Sequence, residues 1–181
     1  MNNGLIPQRY AKALYKLAEE KGNAAQVYDE MKNVVEAFRQ NPELTKTLAN
    51  PFVSRQDKEQ LLLSAAGGAV EDDFRAFVKL ILDNEREQFA YEMALAYRDL
   101  YRRDRRISQV TVTTASKVSD EQLEKIKKIV AKAYPDHSLE WNFKVDPAII
   151  GGFVVDVDNA RLDASLSNEL EQLRLNLLRN A

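Results

Sequence analysis

The hydrophobic period changes once along this chain, and that change decides what it can fold into. Up to about residue 105, apolar residues recur at intervals of three and four; from Ile107 onward they alternate with polar ones. A period near 3.6 buries one stripe of a helix, whereas a period of 2 buries one face of a strand. The break falls at Arg102-Arg103-Asp104-Arg105-Arg106, a polar stretch suited to a domain boundary. The expected fold class is therefore α+β overall. An N-terminal all-α six-helix bundle over residues 1–105 is followed by a small α+β C-terminal domain over residues 106–181.

The helical half carries its own punctuation. Pro7 suits a first helical turn, Tyr10, Ala11, Leu14, Leu17 and Ala18 line one face, and Gly22 ends the element. Val27, Met31, Val34, Val35 and Phe38 repeat that spacing until Asn41-Pro42 stops it. A short helix fits Glu43 to Ala49, and Ser54 can cap another through Leu61, Leu62 and Leu63 that Gly67-Gly68 closes. The next stripe is Phe74, Phe77, Val78, Ile81 and Leu82. The last runs from about Glu87 to Asp104, with Phe89, Met93, Ala96 and Leu100 on one face, widened by Ala90, Ala94, Tyr97 and Tyr101. Six such helices joined by short loops imply a bundle.

In the second half, Ile107 to Thr114 is β-rich. Ser119 and Gln122 are spaced as a capping box before a helix bearing Leu123, Ile126, Val130 and Tyr134, which ends at Pro135. Leu139, Trp141, Phe143 and Val145 alternate with polar residues, which predicts a half-buried strand and a buried Trp141 indole. Phe153, Val155 and Val157 predict another strand, and Leu166, Leu170, Leu173 and Leu177 stripe a final helix. The expected order is strand, helix, strand, strand, helix. A unit of about 75 residues has a marginal core that contact with another chain would help.

Composition narrows the function classes. Lys and Arg number 26 against 28 Asp and Glu in 181 residues, so no global field favours nucleic acid or an anionic membrane. With no cysteine, a disulfide, a thiolate nucleophile and a cysteine-bound metal are all ruled out, which suits a cytoplasmic chain. Met1 to Pro7 shows no basic segment followed by an apolar run, so no secretory signal is expected. The longest apolar run, Ala148 to Val155, is far short of the roughly 20 residues that span a bilayer, so direct membrane insertion is not expected.

The search for reacting groups is negative. His137, the single histidine, lies in the turn-like Pro135-Asp136-His137-Ser138 and reads as a solvated loop residue, not a base or metal ligand. Neither dinucleotide nor P-loop glycine motifs occur, and Glu71-Asp72-Asp73 after Gly67-Gly68 reads as a helix start that would repel phosphate. Arg98, Arg102, Arg103, Arg105 and Arg106 could grip phosphates, but Asp99 and Asp104 interrupt them, and a solvated helix end is the simpler reading. No catalytic residue, cofactor, metal or nucleic-acid partner is expected. On spacing alone, Tyr10, Ala13 and Leu14 read as ordinary core, although Ala11, Ala13 and Ala18 keep the surface shallow enough for a partner helix.

Several stretches, in order, carry a family resemblance. They are Arg9-Tyr10-Ala11-Lys12-Ala13-Leu14; Leu48-Ala49-Asn50-Pro51-Phe52-Val53 with Lys58 and Leu61-Leu62; Phe77 to Asn84 with Arg86; and Ile150-Gly151-Gly152-Phe153 through Asp163-Ala164-Ser165 to the Leu170–Leu177 stripe. The layout resembles the delta subunit of rotary ATP synthases, called the oligomycin-sensitivity-conferring protein in mitochondria. That resemblance implies a non-catalytic stator, held peripherally at the cytoplasmic face of the plasma (inner) membrane through its complex. It implies that the N-terminal helix of an alpha subunit docks between the first and fifth helices, at Tyr10, Ala13, Leu14, Phe77, Leu80 and Ile81. It also implies that the C-terminal ends of b subunits engage the small domain at Gly151, Gly152, Leu170, Leu173 and Leu177.

On the residues alone another class stays open: a helical adaptor or regulatory protein that binds peptide or nucleic acid through its arginine-rich helix end. A hydrolase or transferase is disfavoured, because no nucleophile and base pair is visible.

Overall fold

The computed structural model describes residues 4–179; Met1–Asn3, the head of the segment read for a secretory signal, and the last two residues lie outside it. Internal contacts divide the chain after Asp104 into two units. The first contains α1 (Leu5–Lys21), α2 (Ala24–Gln40), α3 (Glu43–Ala49), α4 (Arg55–Ala65), α5 (Asp72–Asp83), a 3-10 turn (Glu87–Phe89) and α6 (Ala90–Asp104). The second contains β1 (Ile107–Thr114), α7 (Asp120–Ala133), β2 (Ser138–Val145), a 3-10 turn (Pro147–Ile149), β3 (Gly152–Val157), β4 (Ala160–Ser165) and α8 (Leu166–Arg179).

Local chemistry sets the helix ends in the first unit. Gly22, at φ 75°, closes α1 by giving its N–H to the carbonyls of Ala18 and Glu19. The Ser54 hydroxyl accepts the Asp57 N–H and opens α4. Gly67 and Gly68 both take positive φ after α4, a region in which a Cβ is strained. Burying the apolar stripes then assembles the unit: α6 packs on α1 and α2, with Met93, Ala94 and Tyr97 removed from solvent among Ala11, Val27 and Met31. Each fully buried Met, Leu or Val contributes about 1.5–3 kcal/mol. The buried Tyr97 hydroxyl donates to the Ala24 carbonyl at 3.2 Å, so its burial leaves no polar group unmatched.

Three readings of this half need correction. Leu17, expected on the packed face of α1, is exposed. The last helix is preceded by a 3-10 turn at Glu87–Phe89, which winds faster than an α-helix and shifts the phase of α6. Its buried centre is accordingly Ala90, Met93, Ala94 and Tyr97, while Phe89, Ala96 and Leu100 flank it half-buried. Arg102 does not belong to a solvated helix end: it is buried, its Nε donates to the Tyr28 hydroxyl at 2.9 Å, and its guanidinium lies 5.7 Å from the Tyr28 ring centroid. Arg103, Arg105 and Arg106 are exposed.

The sheet of the second unit has the order β2-β1-β3-β4. β1 and β2 run parallel through the α7 crossover, and the other pairs are antiparallel. Ser119 and Gln122 form the expected capping box of α7. Ile126 and Val130 of α7 cover Val110 and Val112 of β1 and Val155 and Val157 of β3. The expected order lacks β4. Two residues, Asp158 and Asn159, turn β3 into it, with Asp158 at φ 49° and its carboxylate accepting the Gln109 N–H. As an edge strand it keeps a polar pattern, with Arg161 paired to Asp156 at 2.6 Å, and so gives little apolar signal.

Trp141 also departs from expectation. β2 is the opposite edge of the sheet, where the indole packs half-buried against the margin of the core and Phe143 and Val145 are exposed. Trp141 stacks on Phe143 instead, with centroids 6.3 Å apart and planes 6° from parallel. His137 is exposed as expected but also ordered, its Nδ1 lying 2.7 Å from the buried Ser108 hydroxyl.

Candidate partner-binding surfaces

α1 and α5 are neighbours, and a polar clasp joins their ends. Lys21 Nζ lies 2.5 Å from Asp73 Oδ1, and Asn23 Nδ2 donates to Asp73 Oδ2 at 2.8 Å. The Lys21 ammonium, with help from Asn23, holds the Asp73 carboxyl below the usual carboxylate range. Three of the six residues expected to line a groove here are core: Leu14 is 4% exposed, Phe77 is buried, and Ile81 is 1% exposed. They hold the two helices to the bundle. The other three reach the surface, with Tyr10 half-buried, Ala13 exposed and Leu80 49% exposed. Leu17, one turn beyond Ala13, extends the same exposed side of α1, although its stripe position made it look like core.

The two surfaces differ in what an incoming chain would meet. Around Ala13 an incoming helix finds a short side chain bounded by larger apolar ones, a shape that admits close backbone approach. In the second unit the leucines of α8 stand outward: Leu166, Leu170, Leu173 and Leu177 are 47%, 56%, 58% and 72% exposed. α8 touches its own unit chiefly through β4 and the Pro147–Ile149 turn. The 4-3-4 spacing of these leucines is the seam pattern of helix pairing. Leu175 and Leu178 are exposed as well, so apolar surface wraps beyond that seam.

Gly151 and Gly152 answer first to their own fold. A Cβ on Gly152, which sits at φ 74°, would stand 2.1 Å from the Ala164 carbonyl oxygen, and one on Gly151 would stand 2.7 Å from a Leu166 methyl carbon. The pair thus lets β4 and the start of α8 lie against β3. Beside it is a cleft of about 470 Å³ lined by Ile126, Ile129, Ile150 and Phe153, with Lys117 and Lys125 also in its wall. Ile150 is held at φ 65°, ψ −43° by a tight Gly151 N–H to Ile149 carbonyl bond of 2.7 Å, a costly backbone state for a β-branched residue. No sequence motif marks this cleft, since its walls come from three separated segments.

Lys58 Nζ contacts Glu87 Oε1 at 2.6 Å in a polar cleft beside Leu48 and Pro51. Among the described residues no group of three or more His, Asp or Glu could hold a metal ion, and no helix is long and apolar enough to cross a membrane.

Comparison with known proteins identifies the family. Residues 6–177 match the family described as ATP synthase delta (OSCP) subunit. ATP synthase subunit delta of Phocaeicola vulgatus is 37% identical over 172 residues, covering 94% of this chain and 92% of the relative. That of Parabacteroides distasonis is 37% identical over 180 residues, covering 99% of each. A chain in the cryo-EM structure of the Toxoplasma gondii mitochondrial ATP synthase hexamer superposes with a TM-score of 0.72 at 20% identity, covering 95% of this chain and 97% of that one, a likeness of fold. With a family match across nearly its whole length and relatives above a third identical end to end, the chain belongs to the ATP synthase delta (OSCP) subunit family.

Proposed function

We propose that this chain is a non-catalytic stator subunit of a rotary, proton-translocating ATP synthase. Its six-helix N-terminal unit binds the N-terminal helix of an alpha subunit across α1 and α5, and its small α+β unit binds the C-terminal ends of the b subunits through α8 and the Gly151-Gly152 corner. The catalytic head is thereby tied to the peripheral stalk and resists the torque of the rotor. The protein is carried peripherally at the cytoplasmic face of the inner membrane by these contacts.

The observation that carries the reading is the presence, on each of two separate units, of an outward apolar helical surface that the unit itself does not cover. Ala13, Leu17 and Leu80 belong to one, and Leu170, Leu173 and Leu177 to the other. Two such contacts on one chain dissociate more slowly together than either alone, which is the physical requirement of a clamp. The competing reading, an adaptor acting through its arginine-rich helix end, loses support because Arg102 is committed to Tyr28 inside the bundle.

Co-purification from a membrane extract tests the proposal with two surface variants. Ala13→Asp is expected to lose the alpha subunit and keep the b subunits, and Leu173→Asp with Leu177→Asp the reverse. Recovery of neither partner by the wild-type chain would end the stator reading.

A further inference from the structure

Glu30 occupies a position on α2 where packing against neighbours calls for an apolar residue. It is 7% exposed, one turn from the buried Val27 and beside the buried Met31. Its Oε1 accepts the backbone N–H of Glu71, the residue that caps α5, at 2.5 Å. Its Oε2 is buried and meets no hydrogen-bond partner among the described residues. A second buried carboxylate, Asp73, stands nearby on α5, but its two oxygens take Lys21 and Asn23. The charged and titratable groups facing Glu30 are Glu71, which caps α5, Asp73 and the exposed Arg75 of α5, and the Tyr97 phenol of α6, while Lys21 of α1 is paired with Asp73. On the side of α4, α2 meets the Ala66 carbonyl through Asn33. One cluster thus holds two carboxylates in opposite circumstances.

We propose that Glu30 is a proton-operated latch on the N-terminal end of α5: neutral, it completes the α2–α5 junction; ionised, it leaves an uncompensated charge there and loosens the first turn of α5. Burial pushes the Glu30 carboxyl up to about 7, opposed by the Glu71 N–H and reinforced by the neighbouring acids. The folded state then holds its proton more tightly than the unfolded chain does. Stability from this group is highest at low pH, falls as pH rises between the ordinary value of 4.5 and about 7, and is fully lost above that. Asp73 behaves in the opposite sense and at lower pH, because its carboxyl is held down. The latch goes beyond the stator reading and operates whichever partner uses the α1–α5 face.

The test is the melting temperature of the helical unit in the full chain, followed by far-ultraviolet circular dichroism from pH 5 to pH 8.5, for the wild type and Glu30→Gln. Glutamine keeps an acceptor for the Glu71 N–H without the charge. The wild type is expected to lose roughly 5–10 °C across that range, most of it below about pH 7 and little above, while the variant changes little and exceeds the wild type at the alkaline end. Carbon-13 NMR of the wild type should show the Glu30 carboxyl titrating near 7. Amide exchange at Phe74 and Arg75, corrected for intrinsic rates, should quicken relative to Ile81 above that pH. Parallel melting curves for the two proteins, or a Glu30 carboxyl that titrates at its ordinary value, overturn the latch. Should the variant not fold, the wild-type carboxyl titration decides alone.

Discussion

Lys21, in the last turn of α1, places its Nζ 2.5 Å from Oδ1 of Asp73, in the first turn of α5. Asp73 is buried while Lys21 is half in water, and Asn23 supplies a second donor to the same carboxylate. The clasp fixes the ends of the two helices whose outward sides are the candidate docking surface for an alpha subunit.

Asp73→Ala should therefore destabilise the helical unit by about 1–3 kcal/mol at neutral pH, the cost of an unmade charge-assisted bond with Asn23 left unmatched. The Asp73 carboxyl is held down in the folded state, so its contribution is present above its ordinary value of 3.8 and is lost as pH falls through the lowered one. Urea titrations at pH 7 and in strong acid should show the gap between wild type and variant closing in acid. A gap that does not change with pH would mean that the clasp contributes through shape and not charge.

Gly152→Ala should unfold the small unit selectively. The added methyl carbon would meet the Ala164 carbonyl oxygen at 2.1 Å on a backbone at φ 74°, a combination expected to cost about 3 kcal/mol or more. Trp141, the sole tryptophan, reports on that unit, so its fluorescence transition should shift to much lower denaturant while the circular dichroism of the helices lags behind it. An unmoved Trp141 transition would show that β3 and β4 can part without loss.

Much of this architecture was legible because it rests on local signals. The Phe74, Phe77, Val78, Ile81 and Leu82 stripe, the Gly22 stop and the Ser119–Gln122 cap each depend on residues within a few turns of one another, and the structure has them all. What escaped depends on the chain's tertiary neighbours. β4 is an edge whose polar pattern hides it, Trp141 alternates correctly but lies on the opposite edge strand at the margin of the core, and Arg102 finds Tyr28, which is 74 residues away in the chain. The candidate surfaces were legible as positions but not as exposures. Tyr10, Ala13, Leu14, Phe77, Leu80 and Ile81 share two helices, yet only packing reveals that Leu14, Phe77 and Ile81 turn inward.

Leu173→Asp with Leu177→Asp should leave the small unit's stability within about 0.5 kcal/mol, since both side chains already stand in water. Its binding to a peptide from the C-terminal end of a b subunit should fall by at least tenfold, about 1.4 kcal/mol. Surface plasmon resonance with the immobilised peptide reads this directly. Unchanged binding would remove α8 from the stalk contact, and a collapsed Trp141 transition would mean that the leucines are needed by the fold itself.

The outward side of α1 is proposed to meet an alpha subunit while its inward side holds the bundle, and two alanines two residues apart separate these roles. Ala11 has no exposed surface, so Ala11→Asp should abolish the cooperative melt by burying an unpaired carboxylate. Ala13 is exposed, so Ala13→Asp should leave the melting temperature of the full chain nearly unchanged. The deciding measurement is a calorimetric titration of the full chain, wild type and Ala13→Asp, with a peptide of the alpha subunit's N-terminal helix, on samples whose melts are recorded first. The expected result is saturable binding by the wild type and at least a tenfold weaker affinity for a variant that melts normally. Equal affinities, or no binding by the wild type at high micromolar peptide, would contradict it.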